Sequence, residues 1–298
     1  MTRVSIVIVT YNSAKVILRC LAAIRGAHEI IVVDNASSDA SAKIAAGMGA
    51  SVIVNSSNLG FGRACNIGAA AATGDYVLFL NPDATLAPLA LREMKSAAER
   101  YPQAAAIGPR LMEGGKPAVF QSETLMDARG GRMAPSDTPS GDCCMRFLSG
   151  AALMCSRKAF QHIGGFDEAF FLYYEDDDLC FRLRDQGGAL IYAPGAVVSH
   201  VKARSSPLTL RGAYMRHNHL ARSRIYISRK YGLRLDCGEF VLRSTVRTIR
   251  ALLTFNPHKA ARHFGMLDAY AAELVAGTPY GETKGALTSL KSERADAP

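Results

Sequence analysis

The sequence contains no tryptophan and no apolar run long enough to cross a bilayer, which takes ~20 residues. Its longest apolar clusters are Val4–Val9 (broken by Ser5), Ile30–Val33 and Tyr76–Leu80, all of strand length. Met1-Thr2-Arg3 runs straight into the first of these, so no secretory leader is expected. Gly 26 and Pro 12 in 298 residues are too few for a collagen-like or Pro-rich chain. Charged residues are only 20% against 49% apolar, which excludes a wholly disordered chain and leaves enough to bury a core. Cysteines at 20, 65, 143, 144, 155, 180 and 237 are odd in number and show no repeated metal-type spacing. Reduced thiols in a cytosolic protein are therefore expected, not a disulfide framework.

Acidic residues become scarce late in the chain. Residues 1–200 hold 18 Lys and Arg against 19 Asp and Glu, whereas residues 201–298 hold 17 against 7. The last third carries the whole positive excess. It is either a solvated face or a surface for something anionic: nucleic acid, an acidic membrane or a phosphorylated substrate.

What is present reads as alternating strand and helix. Residues 3–9 form a β-branched run, as in a strand buried on both faces. Asn12 or Ser13 would cap the next helix, in which Val16, Ile17, Leu21 and Ile24 recur at helical spacing. Strands are predicted at Glu29–Val33, Ser51–Val54 and Asp75–Leu80, with helices between them. This alternation predicts an α/β, mostly parallel, Rossmann-like sheet flanked by helices. A long loop near the active face is expected from about 110 to 145. Further on come a helix at 157–163, another from about 175 to Gly187-Gly188, and two strands, Ala189–Tyr192 and Ala196–Ser199. The remainder reads as helical and basic.

In such sheets ligands bind beyond the carboxyl ends of the strands. Thr10-Tyr11-Asn12, Asp34-Asn35 and Asn81-Pro82-Asp83 all fall there and should share one crevice. Asp83, just past a strand in a Pro turn, suits Mg²⁺ or Mn²⁺. Alone it would read as a plain turn, and the shared crevice makes it a ligand. His200 follows a strand, and an imidazole suits Mn²⁺ better than Mg²⁺. Gly60-Phe61-Gly62-Arg63 lacks the third glycine of a dinucleotide fingerprint, and Arg63 near a helix start could meet a phosphate. Glu175-Asp176-Asp177-Asp178 opens a helix, where capping would need only one or two acids. Crowded like charges raise a carboxylate's pKa, which suits a general base.

These segments together resemble the family 2 glycosyltransferases of GT-A fold, above all their bacterial rhamnosyltransferase-type members. The matching residues are Val4–Asn12, Glu29–Asp39, Asn58–Asn66, Gly74–Asp83, Phe147–Leu153, Gly164–Leu179, Pro194–His200 and Arg222–Gly232. The resemblance covers about 1–235. It implies transfer of a single sugar, with inversion, from a nucleoside diphosphate donor. The donor would be dTDP-rhamnose or a UDP-hexose. The acceptor would be a glycan or polyprenyl-linked, in cell-surface polysaccharide biosynthesis. By position, Thr10, Tyr11, Asn12, Asp34 and Asn35 would hold the nucleotide. Asn58, Arg63, Asn66 and Asn81 would lie along the donor. Asp83 and His200 would hold Mg²⁺ or Mn²⁺. Asp176 of the Glu175-Asp176 pair would be the base, with Asp177 and Asp178 as neighbouring alternatives. Asn81 stands where many members carry the first Asp of Asp-x-Asp. The Q-x-x-R-W motif of the processive branch is absent.

The chain is expected to divide into a catalytic domain at 1–210 (donor half about 1–110, acceptor half about 145–210), a helical extension at 211–280 and a polar, frayed tail at 281–298. In the extension, Leu242, Val246, Ile249 and Leu253 form a stripe flanked by Arg243, Arg247 and Arg250. It would either pack on the catalytic domain or meet an anionic membrane through 236–265. The expected location is the cytoplasm, including the inner face of a bacterial plasma membrane. A sugar nucleotidyltransferase is the competing enzyme reading. A nucleic-acid-binding protein is the competing non-enzyme reading, disfavoured by the near-neutral first 200 residues.

Overall fold

A computed structural model describes residues 2–118, 121–128, 138–201 and 209–276. Strand β1 (Val4–Thr10) is buried along its whole length. Side chains alternate across a strand, so Val4, Ile6 and Ile8 enter one apolar core while Val7 and Val9 enter another. The first core takes residues from α1 (Ala14–Ala23), α2 (Ser41–Gly47) and α4 (Ala90–Arg100). The second takes residues from α3 (Phe61–Ala71), α5 (Arg157–His162) and α6 (Glu175–Asp185). One sheet thus lies between two helical layers, which is why its central strands carry no polar face.

Parallel to β1 run β2 (Glu29–Asp34) on one side and β4 (Tyr76–Leu80) on the other. Beyond β2 lies β3 (Ser51–Val54). β9 (Ala152–Ser156) is antiparallel to β4 and to β6 (Ala104–Glu113). β10 (Ala189–His200) runs parallel to β6 and pairs antiparallel with β5 (Ala84–Leu86). The order is β3-β2-β1-β4-β9-β6-β10-β5. β7 (Lys116–Pro117) pairs with β6, and β8 (Cys143–Met145) with β10. Register then builds the functional edge. Thr10 lies opposite Asp34, Leu80 opposite Ala152, and His200 opposite Ala84, next to Asp83.

Three local expectations change. Residues 104–113 form a full interior strand, so the loop expected from about 110 is interrupted by β6, β7 and β8. The rest of that loop falls partly on 119–120 and 129–137, outside the described residues. The two strands expected at 189–192 and 196–199 are one, with a register shift between Ala193 and Val197 that absorbs Pro194-Gly195. Ser13 occupies the N-cap position of α1 but its side chain does not cap. The Ala14 N–H donates instead to Asp39 Oδ2 at 3.0 Å.

The chain divides into two compact units between Leu208 and Thr209. The second contains α7 (Leu210–Lys230), α8 (Cys237–Leu253) and α9 (Pro257–Ala276). Thr209, Asp236 and Asn256 each accept an N–H from the first turn of these helices in order, from Gly212, Glu239 and Lys259. Ala221, Ile225, Leu235, Cys237, Ala269 and Tyr270 form their core. Among the described residues no helix is long and apolar enough to cross a membrane. The tail expected at 281–298 and the segment 202–207 before α7 lie outside the described residues.

Candidate active site

The ends of β1 and β2 make the first part of the edge. Asp34 is buried, and its Oδ2 accepts the Ser37 N–H at 2.9 Å. Its Oδ1 and the Thr10 Oγ1 are buried with no hydrogen-bond partner among the described residues. A buried acceptor left unpaired costs ~1–3 kcal/mol, and a ligand N–H or O–H arriving there would recover it. Asn12 sits at φ 54°, a left-handed conformation that Asn tolerates. Its Oδ1 accepts the Ser38 N–H at 2.8 Å, while its own N–H donates to Ser37 Oγ at 2.9 Å. The Tyr11 side chain is exposed.

Asn35 and Asn58 shape the adjoining turn. The Asn35 Nδ2 donates to the Gly60 carbonyl at 2.9 Å, and its Oδ1 accepts from Asn55 Nδ2 at 2.8 Å. Asn58 Oδ1 accepts the Gly60 N–H at 3.0 Å. Gly60 has φ +86°, and a Cβ there would stand 2.3 Å from the Phe171 carbonyl oxygen. The Phe61 N–H donates to that same oxygen at 2.9 Å. The β2 end of the edge is thereby fastened to the segment that leads into α6.

Asn81, Asp83 and His200 come together beside it. His200 Nε2 lies 3.2 Å from Asp83 Oδ1 and 3.4 Å from Asn81 Nδ2. The Asp83 side chain is almost wholly buried, yet its Oδ1 receives no well-directed hydrogen bond. A carboxylate oxygen with no well-directed hydrogen bond, an imidazole nitrogen and an amide carbonyl are the donor types a divalent cation accepts, so these residues fit such an ion. Among the described residues no cluster of three or more His, Cys, Asp or Glu forms a denser metal site.

The acidic run separates into four different environments. Asp178 is buried and pairs with Arg182 at 2.7 Å. Arg182 also donates to the Ile163 and Gly165 carbonyls, tying α6 to the preceding loop. Asp177 is buried, and its Oδ1 accepts the Leu125 N–H at 2.8 Å. Glu175 is buried with Oε2 unpaired. Desolvation, reinforced by Asp176, pushes its pKa well above the ordinary carboxylate range. Only Asp176 is half-buried. Its Oδ2 accepts the Gly150 N–H at 3.0 Å, and its Oδ1 the Asp177 N–H at 3.1 Å. Desolvation raises its pKa too, opposed by those backbone N–H groups. Ala151, next to Gly150, accepts the Asn81 N–H at 3.0 Å, so Asp176 and the Asp83 corner share one stretch of backbone. Tyr173 and Tyr174 enter α6 at φ 72° and 65°, a strained approach of the kind found at functional sites.

Arg63 and Asn66 stand differently. Arg63 is exposed and pairs with Glu168 at 3.2 Å. Asn66 has both ends of its amide engaged by the Phe166 backbone, at 2.9 Å each. It fastens α3 to the 164–170 loop. Residues the sequence reading passed over are Ser37, Gly150, Asp127 and Asp39. Ser37 and Asp39 follow Asp34-Asn35 within the matched segment Glu29–Asp39, so hydroxyl and carboxylate spacing could have flagged them. The pairings of Gly150 with Asp176 and of Asp127 with Arg184 cross the fold, and no local pattern shows them.

Residues 5–164 match the model of Glycosyl transferase family 2. The chain belongs to that family. Residues 142–204 also match a galactosyltransferase domain model, described as N-terminal. The chain is 32% identical over 241 residues to an N-acetylglucosaminyl-diphospho-decaprenol L-rhamnosyltransferase of Mycobacterium tuberculosis, covering 67% of this chain and 76% of that one. It is 31% identical over 208 residues to the pre-mycofactocin glycosyltransferase of the same organism, covering 66% of this chain but only 42% of the relative. Among solved structures, the mannosyltransferase PcManGT of Pyrobaculum calidifontis, in complex with GDP-Man and Mn²⁺, superposes with TM-score 0.55 at 17% identity over 99% of this chain and 79% of its own. GalNAc-T7, with UDP, GalNAc and Mn²⁺, superposes with TM-score 0.57 at 14% identity over 74% of this chain and 48% of its own. The fold is therefore GT-A. Family membership decides between the two enzyme readings in favour of glycosyl transfer.

Proposed function

We propose that this glycosyltransferase moves one sugar per cycle, with inversion, from a nucleoside diphosphate donor to a hydroxyl of a glycan or lipid-linked acceptor in cell-surface polysaccharide synthesis. One observation carries the reading. Two buried carboxylate oxygens with no well-directed hydrogen bond, Asp34 Oδ1 and Asp83 Oδ1, stand at and just past the ends of β2 and β4, the strands that flank β1, and the half-buried Asp176 accepts the N–H of Gly150, whose neighbour Ala151 accepts that of Asn81. The preferred donor is dTDP-rhamnose, with UDP-hexoses next, because the M. tuberculosis relative is an L-rhamnosyltransferase. That relative's acceptor, named as a diphospho-decaprenol, supports a lipid-linked acceptor here.

In this reading Asp34 accepts an N–H of the base, with Thr10, Tyr11 and Asn12 around it. Asn81, Asp83 and His200 would hold Mg²⁺ or Mn²⁺ at the diphosphate. Such an ion, when bound, offsets negative charge on the leaving group. Asp176 takes the proton of the acceptor hydroxyl as that oxygen bonds to the anomeric carbon. The bond from that carbon to the phosphate oxygen breaks, and the nucleoside diphosphate leaves with the electron pair. Gly150 and Asp177 fix the Asp176 carboxylate through their N–H groups, and the neutral form of Glu175 avoids a second charge beside it.

Asp176→Asn should cut transfer by roughly 10²–10⁴-fold while circular dichroism and donor binding stay unchanged. Turnover retained in that variant sinks the base assignment. Chelation should stop transfer and added Mn²⁺ or Mg²⁺ restore it. The nucleotide product should be a diphosphate, and pyrophosphate release would overturn the reaction class.

A further inference from the structure

Helix α8 is apolar on two opposite sides. Cys237, Ser244 and Ala251 recur every seven residues and are buried. Phe240 and Val241, near the same side, pack against the helical core that contains Tyr270. About half a turn away stand Leu242, Val246, Ile249 and Leu253, at helical spacing. They are 65%, 47%, 51% and 73% exposed. Phe255, just beyond the helix end at Leu253, is 93% exposed and held at φ 50°. A continuous apolar stripe of this kind marks an interaction surface.

Charge identifies the partner. Arg243, Arg247 and Arg250 line one flank of the stripe, and the only acid on α8 is Glu239, paired with Arg243 at 3.2 Å. Lys259 and Arg262 of α9 extend the positive field. Burial, then Arg247 and other cations including these two, hold the His263 pKa below its ordinary value. A second copy of α8 would bring the same arginines and no further acid to meet them. An anionic bilayer surface offers acyl carbon for the stripe and phosphate oxygens for its flank at matching depths.

We infer that the outer face of α8 seats on an anionic lipid surface, with Leu242, Val246, Ile249, Leu253 and Phe255 among the acyl chains and the arginines at phosphate level. This goes beyond the transfer reaction and depends on neither donor nor acceptor.

The test is sedimentation of the full-length chain with phosphatidylcholine vesicles, with and without phosphatidylglycerol. The chain should pellet with the anionic vesicles only, and added salt should release it. Ile249→Asp with Leu253→Asp should weaken partition at least about tenfold. Arg247→Glu with Arg250→Glu should do so to a similar extent. Ile249→Ser, at a position already facing water, keeps the test valid if the Asp variants lose helicity by circular dichroism, and it too should weaken pelleting. Equal pelleting with both vesicle types, pelleting with neither, or binding insensitive to the stripe variants would overturn the inference. So would a dimer in light scattering that Ile249→Asp dissolves, which would make the face a contact between copies.

Discussion

Glu175, Asp176, Asp177 and Asp178 are neighbours in sequence with different surroundings, and the difference is testable by titration. Burial raises the pKa of Asp176, while Glu175 is raised further by burial and by Asp176 itself. A base must be ionised, so transfer falls as pH drops through the raised Asp176 value. The acid limb of kcat/KM against pH should lie above the ordinary Asp value of ~3.9. A limb at or below that value would show that desolvation does not govern the base. Stability runs the other way. The folded chain holds these protons more tightly than the unfolded chain, so their contribution is complete below the ordinary carboxylate range and is lost as pH rises through the raised values. Asp177 has a structural partner in the Leu125 N–H, which an amide oxygen can also accept. Asp177→Asn should therefore keep turnover within about tenfold of the parent, against the larger loss at Asp176. The reverse ranking would move the base by one residue.

At the scale of elements, segment 121–128 is clasped to α6. Asp127 receives Arg184 through two bonds of 2.8 Å, and Thr124 closes the turn on Asp127 at 2.7 Å. Burial opposes ionisation of Asp127, yet these donors win and its pKa is lowered. Because Arg184 is partly exposed, Arg184→Ala should cost about 2 kcal/mol, read as a shift in urea midpoint. Amide exchange at Leu125 should quicken, since the clasp holds its N–H against Asp177. An unchanged midpoint with unchanged Leu125 exchange would mean that the clasp carries no load. Nothing local announces it, because its two charged partners stand 57 residues apart. The same limit separates what the sequence showed from what it hid. β1, β2 and β4 were legible because β-branched residues buried on both faces leave an unbroken apolar run. β6 was not, because Ala104-Ala105-Ala106-Ile107-Gly108-Pro109 is poor in strand-forming residues and becomes a strand through its place between β9 and β10. The position of Thr10, Asp34 and Asp83 at or just past the ends of the neighbouring strands β1, β2 and β4 was legible from the strand pattern alone. The partners of Asn66 and Asp176 lie across the fold and were not.

At the scale of the molecule, the chain builds cores that share no residue. Two lie on the faces of the sheet and one lies among α7, α8 and α9. The helical core depends on a close crossing at Gly265, where a Cβ would stand 2.3 Å from the Tyr214 carbonyl oxygen and 3.1 Å from the Asn218 nitrogen. Neither neighbour is the movable end of a side chain, so the helices must separate to admit one. Beside the crossing, Asp268 accepts from Tyr214 Oη at 2.6 Å and from Asn218 Nδ2 at 3.0 Å. Separation would stretch those part-buried bonds as well as loosen the packing. Gly265→Val should cost the helical unit about 3 kcal/mol. Hydrogen exchange should locate the loss: amides of α7 and α9 lose protection while those of β1 and β4 keep theirs. Simultaneous loss in β1 would show that the two units unfold as one. Protection retained throughout would show that the crossing accommodates the side chain. The same variant separates function by unit, since the residues proposed for chemistry all precede Leu208. Donor binding should survive Gly265→Val at temperatures where α7 and α9 have opened, and vesicle binding through α8 should fail there.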